Sequence, residues 1–178
     1  HIWPRDTFML IAMPNLDGSF TCTLFLPFEG EDSFESITTK EKAKTFFSTY
    51  FPNVLPDLEN VIEDFFKNPT SAMVTTKCFP WTYWDKVALV GDSAHAIVPF
   101  FCQGMNAGFE DIHVMSELME EHGDAWETIF TKYQELRKPN ADAIAELSYR
   151  NFMEMSSKTA DPKFLLQKKI EKRFAEKY

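Results

Sequence analysis

The apolar run Val87-Ala88-Leu89-Val90 passes directly into Gly91-Asp92-Ser93-Ala94-His95, then into Ala96-Ile97-Val98-Pro99-Phe100-Phe101-Cys102, and then into Gln103-Gly104-Met105-Asn106-Ala107-Gly108-Phe109-Glu110-Asp111. A short unbroken apolar run fits a buried strand, and the periodic residues after Met105 fit an amphipathic helix. The chain is thereby held to strand, tight turn, aromatic loop and helix N-terminus in that order. This arrangement makes a place for a large polar ligand. A carboxylate at the strand end, Asp92, can hold ribose-like hydroxyls, while free N–H groups at the helix start can face an anionic or electron-rich group. Taken alone, Gly-Asp also fits a plain strand-end turn. A hydrolase built on Asp92, Ser93 and His95 does not fit: the segment is not Gly-x-Ser-x-Gly, and triad members converge from distant segments rather than from one five-residue turn. His95 reads as a hydrogen-bonded structural histidine, and no catalytic residue is assigned.

With 178 residues, 44% hydrophobic and 15% aromatic, the chain can fill the core of one large domain or parts of two. A net charge of −9 argues against a nucleic-acid surface, which needs a basic face to neutralise phosphates. Cys22, Cys78 and Cys102 are odd in number and widely spaced, which suggests neither a disulfide framework nor a metal site and points to a reducing compartment. No apolar run approaches the roughly 18 to 20 residues of a membrane span. The chain opens at His1 inside what reads as a strand, so it is expected to be part of a longer protein.

The N-terminal section reads as β structure. Thr7 to Met13 and Ser19 to Leu26 flank Pro14-Asn15-Leu16-Asp17-Gly18, whose Asp-Gly supplies a positive-φ turn, so a hairpin is expected. Alternation puts Met9, Ile11 and Met13 on one face, and Thr21, Thr23 and Phe25 on one face of the partner strand. On pattern alone this is a sheet face packed on an ordinary core. Thr38-x-x-Glu41 is expected to cap a helix through Ala43, Phe46, Phe47 and Tyr50 that stops at Pro52, with a second helical piece from Leu58 to Phe66. The chain should return through a strand from Lys86 to Val90. The helix from Met105 to Glu121 is expected to turn Phe109, Ile112, Met115 and Met119 inward. Asp124-x-x-Glu127 caps a further helix, and Pro139 sits where another can begin. On that last helix Leu147, Asn151 and Glu154 share a face, which by itself reads as a surface stripe. The tail from Lys158 to Tyr178 is basic and amphipathic and reads as a packing helix.

The segment from Gly91 to Asp111 resembles the second flavin-binding motif of the single-component aromatic hydroxylases that use FAD and NADPH. Its wording is most similar to the branch that hydroxylates L-kynurenine, as are His1-Ile2-Trp3-Pro4-Arg5 and the run from Leu147 to Met155. Those three separated matches, in compatible order, cover nearly the whole chain. The family's other flavin motif, a Gly-x-Gly-x-x-Gly loop for the FAD pyrophosphate, has no counterpart among the six glycines here.

The resemblance implies a mixed α/β fold. A substrate-binding sheet with covering helices would occupy residues 1–80, the returning part of the FAD-binding domain 81–138, and C-terminal helices 139–178. It assigns FAD to Gly91, Asp92, Gln103, Gly104, Met105 and Asn106. It assigns substrate to Met9, Ile11, Met13, Thr23, Phe25, Pro99, Phe100, Phe101, Asn151 and Glu154. It further implies NADPH and O2 as co-substrates, and is compatible with a homodimer. In a bacterium the enzyme would be cytoplasmic; in a eukaryote an anchor beyond Tyr178 would place it on the mitochondrial outer membrane. The loop from Pro99 to Gln103 would pack between substrate and flavin. One departure stands out: the family normally has glycine where Cys102 stands, so a positive φ there would cost on the order of 1 kcal/mol.

Overall fold

The computed structural model describes residues 1–159 and 161–177; Ala160 and Tyr178, both in the expected C-terminal helical stretch, lie outside the described residues. The fold is mixed α/β and divides into two compact units. One holds residues 1–71 and the chain from Met153 onward, the other Ala72–Phe152.

In the first unit, β1 (Ile2–Pro4), β2 (Met9–Pro14) and β3 (Phe20–Phe25) form an antiparallel sheet in sequence order. The β2–β3 hairpin forms as expected, closed by Asn15 N–H donating to Ser19 O at 2.8 Å, with Gly18 at φ 85°. The face that packs on the core is Phe8, Leu10 and Ala12. Phe8 and Leu10 join Ile37, Ala43, Phe46, Phe47, Phe51 and Val54, largely from α1 (Lys40–Tyr50). The other face pairs Met9 with Phe25, Ile11 with Thr23 and Met13 with Thr21, and grades from fully buried Met9 to half-exposed Met13. It is thus not the face that builds the principal core of this unit. The cap of α1 is Thr39, not the expected Thr38. Thr39 has the extended backbone that aims its hydroxyl at Lys42 N–H, 3.3 Å away, whereas Thr38 lies one residue too early. A short α2 (Val61–Lys67) follows. The tail helix α6 (Pro162–Lys177) buries none of its residues, which corrects its reading as a packing helix.

In the second unit, the expected strand from Lys86 to Val90 shortens to β5 (Val87–Ala88), paired with β4 (Thr82–Tyr83). The ladder stops because Val90 N–H is taken by Ser93 Oγ at 3.1 Å, which folds the chain into the turn α3 (Asp92–His95). Then come a 3-10 turn at Pro99–Phe101, α4 (Gly104–His122) and α5 (Trp126–Ser157), whose last turn belongs to the first unit. Pro139 lies inside α5 and starts no new helix. It removes one backbone donor, but Tyr133, Arg137, Ala141 and Ala145 are all buried along one stripe that runs past it.

The inward face of α4 also differs from expectation. Phe109, Ile112 and Met119 are 66%, 56% and 42% exposed, and the buried positions are Ala107, Asp111 and Leu118. Met115, the fourth residue expected inward, does pack against the core, so periodicity found one edge of the inward stripe and missed the part that carries a carboxylate. The core of this unit gathers Trp81, Ala94, Leu118, Ile129, Tyr133 and Ala141. Among the described residues no helix is long and apolar enough to cross a membrane.

Candidate functional site

The Gly91–His95 turn is held from beneath. Tyr133 donates its hydroxyl to Leu89 O at 3.1 Å, and Ser93 Oγ donates to Val90 O at 2.8 Å. Gly91 adopts φ 60°, ψ −139°, a region that favours glycine. Its Cα faces Gly108 of α4, where an added Cβ would stand 3.7 Å away, an ordinary contact, so it is the positive φ of Gly91 rather than lack of room that calls for glycine. Strand end and helix meet here backbone to backbone. Beyond this contact Asp92 is exposed, and its carboxylate has no hydrogen-bond partner among the described residues.

The start of α4 is open. Gln103 occupies the cap position but makes no capping hydrogen bond. Its amide donates to Phe101 O at 3.2 Å, and its Oε1 accepts from Asn106 Nδ2 at 2.9 Å. The N–H groups of Gly104, Met105 and Asn106 thus have no side-chain cap, at the positive end of a 19-residue helix.

Between turn and helix, Phe100 is buried while Pro99 and Phe101 are exposed. The Phe100 ring lies 4.7 Å from that of Phe152, and its carbonyl accepts a hydrogen bond from Asn151 Nδ2 at 2.5 Å. Cys102 follows at φ 53°, ψ 32°, the left-handed region.

Sequence reasoning missed the buried charge behind the turn. Asp111 is fully buried, Arg137 1% exposed and His95 4% exposed. Asp111 Oδ2 accepts from Gly91 N–H at 2.9 Å and lies 2.5 Å from His95 Nε2, while Oδ1 accepts from Arg137 Nε at 2.7 Å. Arg137 Nη2 also donates to Ala107 O at 3.2 Å. Its Nη1 lies 2.7 Å from Glu110 Oε2 but is not aligned for a hydrogen bond. Burial pushes the Asp111 carboxyl up, but the hydrogen bonds from His95, Arg137 and Gly91 outweigh it and hold the group below the usual carboxylate range. His95 Nε2 is then the donor to an ionised carboxylate, and His95 sits in the turn as a buried, hydrogen-bonded residue. The missed signal was register: Asp111 lies four residues after Ala107 and seven before Leu118, and Arg137 lies between Tyr133 and Ala141.

A family model described as "FAD binding domain" matches residues 57–148, more than half of the chain. The chain belongs to the FAD-binding domain family. Curated relatives of this chain include kynurenine 3-monooxygenases from Christiangramia forsetii, 71% identical, and Flavobacterium johnsoniae, 68% identical. In both, the match covers 100% of this chain and 40% of the relative. The kynurenine 3-monooxygenase of Dictyostelium discoideum is 50% identical over 96% of this chain and 40% of its own length. The chain thus spans about 40% of the length of these relatives.

The residues present fit the FAD that the family binds. Gly91 takes the positive φ that turns the chain at the strand end, Asp92 offers an unpartnered carboxylate suited to polyol hydroxyls, and uncapped N–H groups head α4. Gly91, Asp92, Pro99, Phe100, Phe101, Gln103, Gly104, Met105, Asn106 and Asn151 all lie in the second unit, where Asn151 is tied to Phe100. The first unit carries Met9, Ile11, Met13, Thr23 and Phe25 on one sheet face, and Glu154, half-buried, on the last turn of α5.

Proposed function

We propose that the protein to which this chain belongs hydroxylates L-kynurenine to 3-hydroxykynurenine, consuming NADPH and O2 and releasing NADP+ and water. The observation that carries this reading is the exposed, unpartnered Asp92 set ahead of the uncapped start of α4, in a chain similar along its whole length to kynurenine 3-monooxygenases.

When bound, FAD supplies the hydride acceptor for NADPH and the oxygen-activating centre. The chain's residues bind and orient. Asp92 would hold the cofactor by accepting hydrogen bonds from its ribityl hydroxyls. The N–H groups of Gly104, Met105 and Asn106, at the positive end of α4, would hold an electron-rich edge of the flavin ring and favour negative charge on it, a placement worth about 0.3 to 1 kcal/mol, and up to about 2 when partly buried. Phe100 and its neighbours Pro99 and Phe101 exclude water beside the reacting carbon. Met9, Ile11, Met13, Thr23 and Phe25 offer apolar surface to the substrate's aromatic ring. Asn151 and Glu154 supply an amide and a carboxylate for its amino groups. The substrate's own arylamine activates the ring carbon ortho to it, so no protein base is assigned.

The test is NADPH oxidation by the intact protein with FAD, with and without L-kynurenine, with the product followed by mass. Stimulated oxidation and a product heavier by one oxygen are expected. FAD binding without stimulation would discard kynurenine and keep an aromatic hydroxylase. Absence of FAD binding would sink the enzyme reading.

A further inference from the structure

We propose that Asp111, with His95 and Arg137, is a positioning residue for the cofactor: its buried carboxylate fixes the Gly91-Asp92 turn against the start of α4, and so sets FAD affinity and flavin potential. The inference rests on the reading of this turn as the flavin site.

The geometry carries it. Both ends of the turn converge on one oxygen: Gly91 N–H, immediately before Asp92, and His95 Nε2, at the end of α3, both reach Asp111 Oδ2. The other oxygen takes Arg137 Nε, and the same guanidinium donates to Ala107 O, a carbonyl in the first turn of α4. One carboxylate thus ties the residue before Asp92 to the helix whose N–H groups face the flavin. None of the three residues is more than 4% exposed, so none of them is offered to a ligand. A buried ion cluster stabilises no more than well-packed apolar side chains of similar volume. What directed hydrogen bonds add is orientation, because three donors at fixed angles permit one placement of the turn and an apolar contact permits many. Trp81 completes the seat, its ring centroid 5.1 Å from that of His95.

The experiment compares the intact protein with Asp111→Asn, His95→Gln and Arg137→Lys. Ile129→Val, a change in the same core away from the turn, serves as a stability control. Four quantities are read: melting temperature without FAD, FAD dissociation constant, visible circular dichroism of bound flavin, and its two-electron potential. The expected result is at least a tenfold weaker FAD dissociation constant in Asp111→Asn, with an altered flavin dichroism and a lower potential. His95→Gln and Arg137→Lys should show the same changes to a smaller degree, and Ile129→Val none of them. Should Asp111→Asn fail to fold, the two milder variants decide by the same readouts. If the variants melt earlier yet bind FAD with unchanged affinity, dichroism and potential, the cluster is only structural and the inference is overturned. If the unsubstituted protein itself binds no FAD, the proposed function falls first, an outcome distinct from variant-specific loss.

Discussion

The side-chain amide of Asn151 donates to the carbonyl of Phe100, 51 residues earlier, at 2.5 Å. The residue proposed to meet substrate therefore also holds the aromatic loop at its centre. Asn151→Ala should remove about 1 kcal/mol of stability in urea unfolding. It should also lower kcat/KM for kynurenine by about tenfold, the equivalent of about 1.4 kcal/mol. Loss of stability with unchanged kcat/KM would confine Asn151 to the loop.

Cys102 pays for its left-handed backbone. At φ 53° its Cβ crowds the chain in a way glycine avoids, and its thiol makes only a weak 3.4 Å contact to Pro99 O. Cys102→Gly is expected to stabilise the protein by about 1 kcal/mol, less the extra freedom glycine gives the unfolded chain. Thermal melting before and after the change measures it, and a lower melting temperature would show that the thiol packs better than its backbone suggests.

Asp111 should leave an acid signature. Its carboxyl is held below its ordinary value of 3.8 in the folded chain, so the folded state binds this proton less readily than the unfolded state does. The stability it contributes is fully present above the unfolded value and is lost as pH falls through the lower folded one. Urea unfolding of wild type and Asp111→Asn should differ by a constant amount near neutrality, with the gap narrowing only below about pH 4. A gap that did not narrow at all as pH fell through the carboxylate range would contradict the assignment.

Tyr133 supports the strand that leads into the turn. Burial, followed by the nearby Asp111 charge, raises its phenol well above the usual range, and its hydroxyl donates to Leu89 O. Tyr133→Phe should cost about 0.5 to 1.5 kcal/mol. In wild type this phenol stays protonated while exposed tyrosines titrate, so its contribution declines as pH rises above about 10, where the unfolded group ionises. Ultraviolet difference titration at tyrosine wavelengths follows both effects.

Local chemistry made much of the molecule legible in the sequence. Asp17-Gly18 announced the hairpin, the residues from Gly91 to Asn106 announced strand, turn and helix start, and the missing glycine at 102 pointed to a position that does have positive φ. What failed was inference from polarity alone. Periodicity cannot tell which stripe of α4 faces inward when the buried stripe contains Asp111 and the exposed one Phe109 and Ile112. Nor could the rule that proline opens helices foresee Pro139 within α5, where a tertiary stripe of buried residues overrides a local preference. Thr38 and Thr39 are chemically alike, and only the backbone at 39 decides which one caps.

The continuity of α5 has a mechanical consequence. At ideal helical rise and turn, Arg137 and Asn151, both on the part of α5 within the second unit, lie about 21 Å apart and roughly 40° from alignment, with Pro139 between them. Arg137 grips the anchorage of Gly91, and Asn151 grips Phe100. The support beneath Gly91 and the support of Phe100 thus hang from one helix, so a change within α5 reaches both ends of the 91–100 segment.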